Sequence, residues 1–262
     1  MVIEFPDGQV YVVDSHSPDY IREERPSPTM RFLREHGITE IDRLIVTHPH
    51  MDHIYGITEL LTAEDTFIKQ LWMSRFQHPG AYMMNFTFKW MYHWMDFSPE
   101  NRVYVPRDGD VVDVGGVKLQ VLAPPAGLDH TTEKHVNDAS VVIRLVYGSF
   151  AMLLTGDAEL PVWERMLRSR VEEEAEELLH ADVLKVSHHG SRTGTDATLL
   201  RRIAPQQAII SVGEGNPFGH PHEEVLDLLD GTIGLENIYR TDERGTISII
   251  SDGSSYHIVE GS

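Results

Sequence analysis

Four side chains able to bind a metal ion fall within six residues of this chain, at His48, His50, Asp52 and His53. They directly follow residues 41–47, which include Ile41 and the apolar run Leu44-Ile45-Val46 and predict a buried strand. Burying such a cluster without partners is costly, whereas metal ions convert it into a satisfied site. The chain is therefore expected to fold so that a buried strand ends at a metal-binding loop.

The spacing within this loop indicates two ions. Residues two apart on an extended strand end point to the same side, so His48 and His50 can bind one ion together. Where the chain turns into a helix, Asp52 and His53 can project toward a second ion nearby. The pattern predicts two adjacent metal sites.

Predicted strands and helices alternate along the rest of the chain, which is typical of an α/β protein. The opening predicts two antiparallel strands over 2–5 and 9–13, joined at Pro6-Asp7-Gly8, at the edge of a sheet. Helices are predicted over 29–36, 159–180, 197–203 and 223–229. Further strands are predicted over 103–122, 140–147, 150–155, 183–187, 208–212, 245–250 and 255–259. A length of 262 residues fits one domain over 1–262.

The composition of the chain restricts the surfaces and the metal ligands that it can offer. The chain has 41 acidic and 22 basic residues, a net charge of −19, which disfavours a broad nucleic-acid or anionic-lipid surface. Bound divalent metals would supply local positive charge that the sequence count omits. Cysteine is absent, which excludes disulfides, thiolate zinc sites and a cysteine nucleophile, and leaves imidazole and carboxylate as ligands. No apolar run reaches the roughly 18 residues of a membrane span, and the first residues lack a signal-peptide pattern.

Residues 67–97 differ from the remainder, since they hold three of the four tryptophans and five of the ten methionines. Such a segment is interpreted as an insertion that forms a lid, a homodimer surface or a membrane-facing patch. The alternative is that its side chains pack onto the body of the same domain.

Three further motifs accompany the histidine loop. They are Thr155-Gly156-Asp157, residues 181–191 with His188-His189-Gly190-Ser191, and residues 216–221 with Gly219-His220-Pro221. Together with the pattern His-x-His-x-Asp-His, they resemble the metallo-β-lactamase superfamily. Within it they are similar to the hydrolase domain of ComEC-type DNA-uptake proteins and their free-standing relatives. The resemblance extends from Ile3 to about Ile249.

This resemblance implies an αββα four-layer sandwich that holds two divalent ions, zinc or manganese. Asp14 would orient the histidine loop without binding metal, and Asp157 would bridge both ions. His188 would complete the second metal site with Asp52 and His53, and Asp52 would also take part in catalysis.

Four residues are assigned to the substrate. His189 is expected to face a leaving group or phosphate oxygen, and Ser191 and Asn216 to contact the substrate. His220 is expected to bind substrate or transfer a proton. Three basic residues in or near these motifs, Lys185, Arg192 and Arg240, are a candidate phosphate path, with scattered surface charge as the alternative.

The third ligand of the first metal departs from the wider superfamily. His135 is the candidate, 22 residues before Asp157, but ComEC-type chains resemble this stretch through Asn137 and Ser140 and often lack the histidine. Without His135 the first metal would have an open coordination position, which would favour manganese over zinc.

The resemblance implies a binuclear phosphodiesterase or nuclease that acts on DNA or a small nucleotide through a hydroxide shared by the metals. The alternative enzyme is a carboxylic ester, lactone or thioester hydrolase on the same fold. A third hypothesis is a binding or assembly module without catalysis that uses residues 67–97. A free-standing chain would be cytoplasmic, and the other location is an extracytoplasmic domain of a membrane protein.

Overall fold

The computed structural model describes residues 1–16, 26–73, 102–125 and 133–261, with the side chains of 133–135 outside that description. Backbone contacts divide the chain into two compact units. The first unit is Met1–Pro106 with Ala126–Val141, and the second unit is Arg107–Pro125 with Val142–Ser262. The expectation of a single domain over 1–262 stays a prediction.

The first unit is built on a five-stranded sheet in the order β1-β2-β3-β4-β5. Its strands are β1 Val2–Glu4, β2 Val10–Val13, β3 Glu40–Val46, β4 Phe67–Met73 and β5 Val103–Tyr104. Its helices are α1 Pro28–Glu35, α2 Met51–Ile54 and α3 Ile57–Thr62, with a 3-10 segment at Glu133–Ala139. β1 and β2 pair antiparallel, whereas β2 to β5 run parallel.

The core of the first unit joins the sheet to these helices. Ser27 caps α1 by accepting a hydrogen bond from the Met30 backbone N–H at 3.0 Å, and Pro28 starts the helix. Met30 and Leu33 stand three residues apart on one helix face, and both are buried against the apolar side chains of β2, β3 and β4.

The second unit is built on a seven-stranded sheet in the order β12-β11-β10-β9-β8-β7-β6. Its strands are β6 Val111–Val114, β7 Val117–Ala123, β8 Val142–Tyr147, β9 Phe150–Leu154, β10 Val183–Lys185, β11 Gln207–Ile210 and β12 Ile238–Arg240. β9 to β12 run parallel and β6 to β9 antiparallel. A separate hairpin pairs β13 Ile247–Ser251 with β14 Tyr256–Glu260.

Helices follow the parallel strands of the second unit. They are α4 Leu160–Arg168, α5 Glu172–Leu179, α6 Ala197–Ile203, α7 Glu223–Ile233 and α8 Thr241–Arg244, with 3-10 turns at Ser187–Gly190 and Leu235–Asn237. The core packs the fully buried Leu153, Leu184 and Ile210 of the sheet against Trp163 of α4 and Leu200 of α6. This packing fixes the ends of the parallel strands, from which the site loops leave.

The prediction of one helix over 159–180 is wrong, because α4 and α5 are separate helices. The Ser169 hydroxyl donates to the Met166 carbonyl at 2.8 Å, which offers the backbone an alternative to continuing the helix. Arg170 forms an ion pair with Asp108, and Val171 is extended, with φ −69° and ψ 155°. Asp108 is 62 residues away, so this partner is not visible in the local pattern.

The segment over 67–97 also begins differently from the prediction. Phe67–Met73 forms β4, between β3 and β5, and Leu71 and Trp72 are buried there. Residues 74–97 lie outside the described residues, so the lid, homodimer and membrane-patch interpretations stay predictions for them. No helix in the part of the chain that the structure describes combines the length and apolarity needed to cross a membrane.

Candidate metal centre

The histidine loop leaves the carboxyl end of β3 beside the carboxyl end of β2. These strands are parallel, with Val13 opposite Ile45, so Asp14 and Thr47 reach the same edge of the sheet. Asp14 Oδ1 accepts a hydrogen bond from the Thr47 N–H at 2.8 Å, and Asp14 Oδ2 accepts one from Thr47 Oγ1 at 2.7 Å. Asp14 has φ +51°, a left-handed conformation that is uncommon outside glycine and concentrates at functional sites.

Asp14 also orients His53. Its Oδ2 lies 2.7 Å from His53 Nδ1, so Nδ1 carries the hydrogen and Nε2 keeps its lone pair. A metal-binding histidine commonly donates its other N–H to a carboxylate in this way. Burial alone would raise the pKa of Asp14, but the neighbouring His53 imidazole and the hydrogen bonds from His53 and Thr47 hold that pKa below its usual value.

His48 and His50 present two nitrogens to one point. The Thr47 hydroxyl gives its hydrogen to Asp14, so it accepts from His48 Nδ1 at 3.2 Å and leaves His48 Nε2 with a lone pair. His48 Nε2 lies 3.0 Å from His50 Nδ1. Two nitrogens at this distance can share one ion with metal–nitrogen bonds of about 2.1 Å. The pairing predicted from the two-residue spacing is therefore present.

Asp52 and His53 lie together on α2, and each offers a ligand atom within 4.8 Å of the other. His48 and His53 are buried, whereas Asp52 and His50 are partly exposed. The residues His48, His50, Asp52 and His53 are called the first ligand cluster below.

The second unit brings another set of ligands to one sheet edge. β9, β10 and β11 are parallel, with Leu154 opposite Lys185 and Lys185 opposite Ile209. Asp157 follows β9 and His188 follows β10, so both lie at the carboxyl ends of these strands, where α/β proteins bind ligands. Asp157, His188 and His189 are called the second ligand cluster below.

The hydrogen bonds of the two histidines decide which nitrogen faces Asp157. His189 Nδ1 lies 2.6 Å from the Ser211 carbonyl oxygen, and His188 Nδ1 lies 3.2 Å from Glu159 Oε1. Because these oxygens only accept, both Nδ1 atoms carry hydrogen. In the neutral rings, lone pairs on Nε2 then face Asp157 Oδ2, at 3.8 Å from His188 and 3.6 Å from His189.

This arrangement fits a cation. Asp157 is 1% exposed, and a buried carboxylate that faces two imidazole lone pairs is satisfied when a metal ion lies among them. The distances of 3.6 and 3.8 Å are too long for hydrogen bonds and suit shared coordination. The chemistry and orientation of these donors therefore match a divalent metal ion.

The backbone of the second cluster is strained. His188 and His189 have φ of 49° and 54°, and two successive left-handed residues with side chains persist only where the surroundings impose them. Gly190 follows with φ +83°, and a Cβ at Gly190 would lie 2.5 Å from the Cβ of Pro221. Glycine is thus required for the close approach between this turn and the loop that carries His220.

His220 stands beside the second cluster on a loop that a side-chain amide holds. Asn216 Nδ2 donates to the His220 carbonyl at 2.6 Å, and Asn216 Oδ1 accepts from the His220 N–H at 3.0 Å. The His220 ring lies 5.4 Å from the His188 ring. Burial, followed by the neighbouring His188, lowers the pKa of His220 to about 4, so its ring is neutral at pH 7 and has one N–H to donate.

Comparison with a family model identifies the superfamily of this chain. The family model for the metallo-β-lactamase superfamily matches residues 1–214. The chain belongs to the metallo-β-lactamase superfamily. This places it among metal-dependent hydrolases, and it confirms the fold class inferred from the sequence motifs.

Among similar proteins are competence and recombination proteins. ComE operon protein 3 of Bacillus subtilis is 32% identical over 218 residues, which cover 82% of this chain and 25% of that protein. Recombination protein 2 of Haemophilus influenzae is 30% identical over 198 residues, which cover 76% of this chain and 21% of that protein. The predicted ComEC-type relation is confirmed, and the chain spans about a quarter or less of the length of these relatives.

A solved structure has the same fold at low sequence identity. CmlA, a diiron β-hydroxylase from Streptomyces venezuelae, gives a TM-score of 0.50 at 11% identity and covers 89% of this chain and 49% of its own. The present chain therefore shares its fold with an enzyme of different chemistry. Its own reaction has to be argued from the residues of the site.

Three of the remaining sequence-predicted positions have specific surroundings. Ser191 is buried, with its Oγ 3.0 Å from Thr193 Oγ1. The assignments of Ser191 and Asn216 to substrate contact stay predictions. Of the candidate phosphate path, Arg240 forms ion pairs with Asp242 and Glu243, and Arg192 forms one with Glu224.

The side chain of His135 lies outside the described residues, so its assignment as a ligand stays a prediction. Both histidines of the second cluster face Asp157, so the division into His188 as ligand and His189 as substrate contact also stays a prediction.

Three residues outside the predicted set support these side chains. Glu159 and Thr193 approach His188 Nδ1, at 3.2 and 3.3 Å. His222 lies 4.8 Å from the His220 ring, and its Nδ1 accepts from the Arg192 N–H at 3.0 Å. The sequence could have indicated Glu159, because a carboxylate two residues after Asp157 is a candidate partner for a histidine. No local sequence pattern indicates Thr193 or His222.

Asp14→Asn is expected to lower zinc affinity by about 10–100-fold, the usual cost of losing the partner of a metal-binding histidine. The asparagine oxygen would keep the bond from the Thr47 N–H, so its amide would face His53 Nδ1. That contact favours hydrogen on His53 Nε2, the nitrogen needed for metal. Competition with a chromogenic zinc chelator measures the change.

Asp42→Asn is the matched control, because Asp42 accepts from the Val10 N–H and pairs with Lys69 on the same sheet, outside the first ligand cluster. Its zinc affinity should equal that of the unaltered chain. Equal affinity in Asp14→Asn and the unaltered chain would show that Asp14 does not control His53.

Proposed function

We propose that this chain is a binuclear metal-dependent phosphodiesterase or nuclease that acts on DNA or a small nucleotide. The observation that carries the proposal is the group of three imidazoles at Asp157. His188 and His189 direct lone pairs at this carboxylate, and the neutral His220 adjoins them with an N–H to donate. This provides metal ligands and a separate group for a phosphate oxygen.

The similar proteins support the choice of substrate class. Recombination acts on DNA, and the names Recombination protein 2 and ComE operon protein 3 belong to proteins of which this chain matches one part. A phosphodiester is the bond that a DNA-directed hydrolase of this superfamily would cleave. The net charge of −19 favours a short or single-stranded substrate over a long duplex.

For the metals, we propose that both ligand clusters contribute. His48 and His50 would hold the first ion, Asp52 and His53 the second with His188 or His189, and Asp157 would bridge them. When bound, two divalent ions make water nucleophilic at neutral pH and stabilise charge on the attacking and leaving oxygens. Manganese is expected to support activity at least as well as zinc, because the first ion would have an open coordination position without His135.

The protein's own groups would position the substrate. The His220 N–H would donate to a non-bridging phosphate oxygen or, once its ring is protonated, to the leaving oxygen. Asn216 would fix the His220 backbone, and Ser191 would act through Thr193 on the His188 ring. Asp14 and Glu159 would keep the ligand histidines in the tautomers that bind metal.

Hydrolysis assays with manganese, zinc and magnesium in turn test the proposal. The purified chain should cleave bis(p-nitrophenyl) phosphate and a dinucleotide, and chelation should stop both reactions. Nitrophenyl acetate, a lactone and a thioester serve as comparison substrates. Cleavage of these acyl substrates without any phosphodiester cleavage, single- and double-stranded DNA included, would transfer the assignment to a carboxylic ester, lactone or thioester hydrolase.

A further inference from the structure

Phe218 is a large aromatic side chain that the fold does not bury. It is 69% exposed, and the core of the second unit is formed without it. Burying a phenyl ring is normally favourable, so an isolated exposed ring contributes little to folding. The location of Phe218, two residues before His220, links it to the proposed substrate histidine.

The backbone on both sides of Phe218 is held in place. Asn216 binds the backbone of His220 through two hydrogen bonds of 2.6 and 3.0 Å, which closes the loop around Phe218. Gly219 turns the chain with φ +69°, and its N–H donates to the Asn216 carbonyl at 3.4 Å. Phe218 is therefore presented at a fixed point next to His220, although its ring is exposed.

The ring also has a defined orientation. Its centroid lies 5.9 Å from that of His220, with 27° between the planes, which is an offset-stacked arrangement. The rest of the phenyl surface faces solvent. A phosphate bound at His220 would carry its attached nucleoside within reach of this surface.

We propose that Phe218 is a stacking platform for a nucleobase next to the phosphate that His220 binds. This inference rests on the proposed function and names the determinant of its substrate. Stacking on an aromatic ring accepts any base, but it needs an unpaired base whose face is free. The site would thus select dinucleotides and single-stranded ends over intact duplex and over phosphodiesters without bases.

The kinetic test compares a thymidine dinucleotide with two matched dinucleotides in which one or the other base is replaced by hydrogen. Phe218→Ala should raise the KM for the complete dinucleotide by about tenfold, the scale of losing one stacked base. It should leave kcat and metal content unchanged, and it should not affect the substrate that lacks the stacked base. Phe218→Leu should behave like Phe218→Ala, whereas Phe218→Trp should keep the low KM.

Leu235→Ala is the control, because Leu235 is 62% exposed on the same unit and lies outside both ligand clusters. Its kinetics should match those of the unaltered chain. An equal rise in KM for complete and base-free substrates in Phe218→Ala would overturn the inference. A shift to a smaller oligomer in Phe218→Ala would also overturn it, by assigning Phe218 to self-association.

A binding measurement separates this inference from the proposed function. Thymidine monophosphate should quench the additional tryptophan fluorescence of Phe218→Trp relative to the unaltered chain, and this needs no turnover. Quenching in a protein that cleaves no phosphodiester would remove the proposed function and keep the platform. Phosphodiester cleavage without quenching, and with no base preference, would keep the function and remove the platform.

Discussion

Asp157→Ala is expected to abolish turnover, with a fall in rate of roughly 10³-fold or more, since several kcal/mol of charge stabilisation depend on correctly held ions. Asp157 is the proposed bridge, so its loss would weaken both metal sites. The buried carboxylate faces the imidazoles of His188 and His189, and alanine would remove the oxygens proposed to share an ion with those nitrogens.

The metal-free fold should survive this change. Alanine brings no charge or polar group into this buried position, so the metal-free Asp157→Ala chain should still fold cooperatively. The unaltered chain should gain stability with metal, about 2.7 kcal/mol at a metal concentration 100 times the dissociation constant. Asp157→Ala should lose most of that gain.

Elemental analysis and thermal melts with and without manganese measure both effects. Asp227→Ala, which removes an exposed carboxylate from α7 of the same unit, is the control and should behave like the unaltered chain. Near-normal rates together with two bound ions in Asp157→Ala would remove Asp157 from the proposed site.

The second large effect is expected for His220→Ala, which should lower kcat by about 10²-fold, within the usual range for losing a general acid or base. The pKa of about 4 keeps the His220 ring neutral at pH 7, so a hydrogen bond from its N–H is the minimum contribution lost. Both metals and the folded state should be retained, because the ligands proposed for the metals are other residues.

Phosphodiester kinetics, metal content and a thermal melt on one preparation test this prediction. His257→Ala serves as the control, since His257 is exposed on the β13–β14 hairpin. Loss of a metal ion in His220→Ala would make His220 a ligand and contradict the proposed division of roles. Full activity would make its role structural only.

The sequence by itself determined the family, the placement of the candidate metal-binding loop at a strand end, and the positions of most strands. These features are local: an apolar run ends at a polar loop, and two-residue spacing directs His48 and His50 to one side. The pairing of these histidines at 3.0 Å follows from that local geometry. The β1–β2 hairpin, signalled by Asp7-Gly8, was predictable for the same reason.

The tertiary structure decided everything that depends on partners distant in sequence. The break between α4 and α5 involves Asp108, and the strand Phe67–Met73 is held between β3 and β5, which pair with it on either side. The choice of ring nitrogen in His189 is made by the Ser211 carbonyl, 22 residues away. A donor or acceptor that arrives on a neighbouring parallel strand leaves no local pattern in the sequence. The residue types of the candidate ligands were therefore predictable, whereas the orientation of the histidine rings was not.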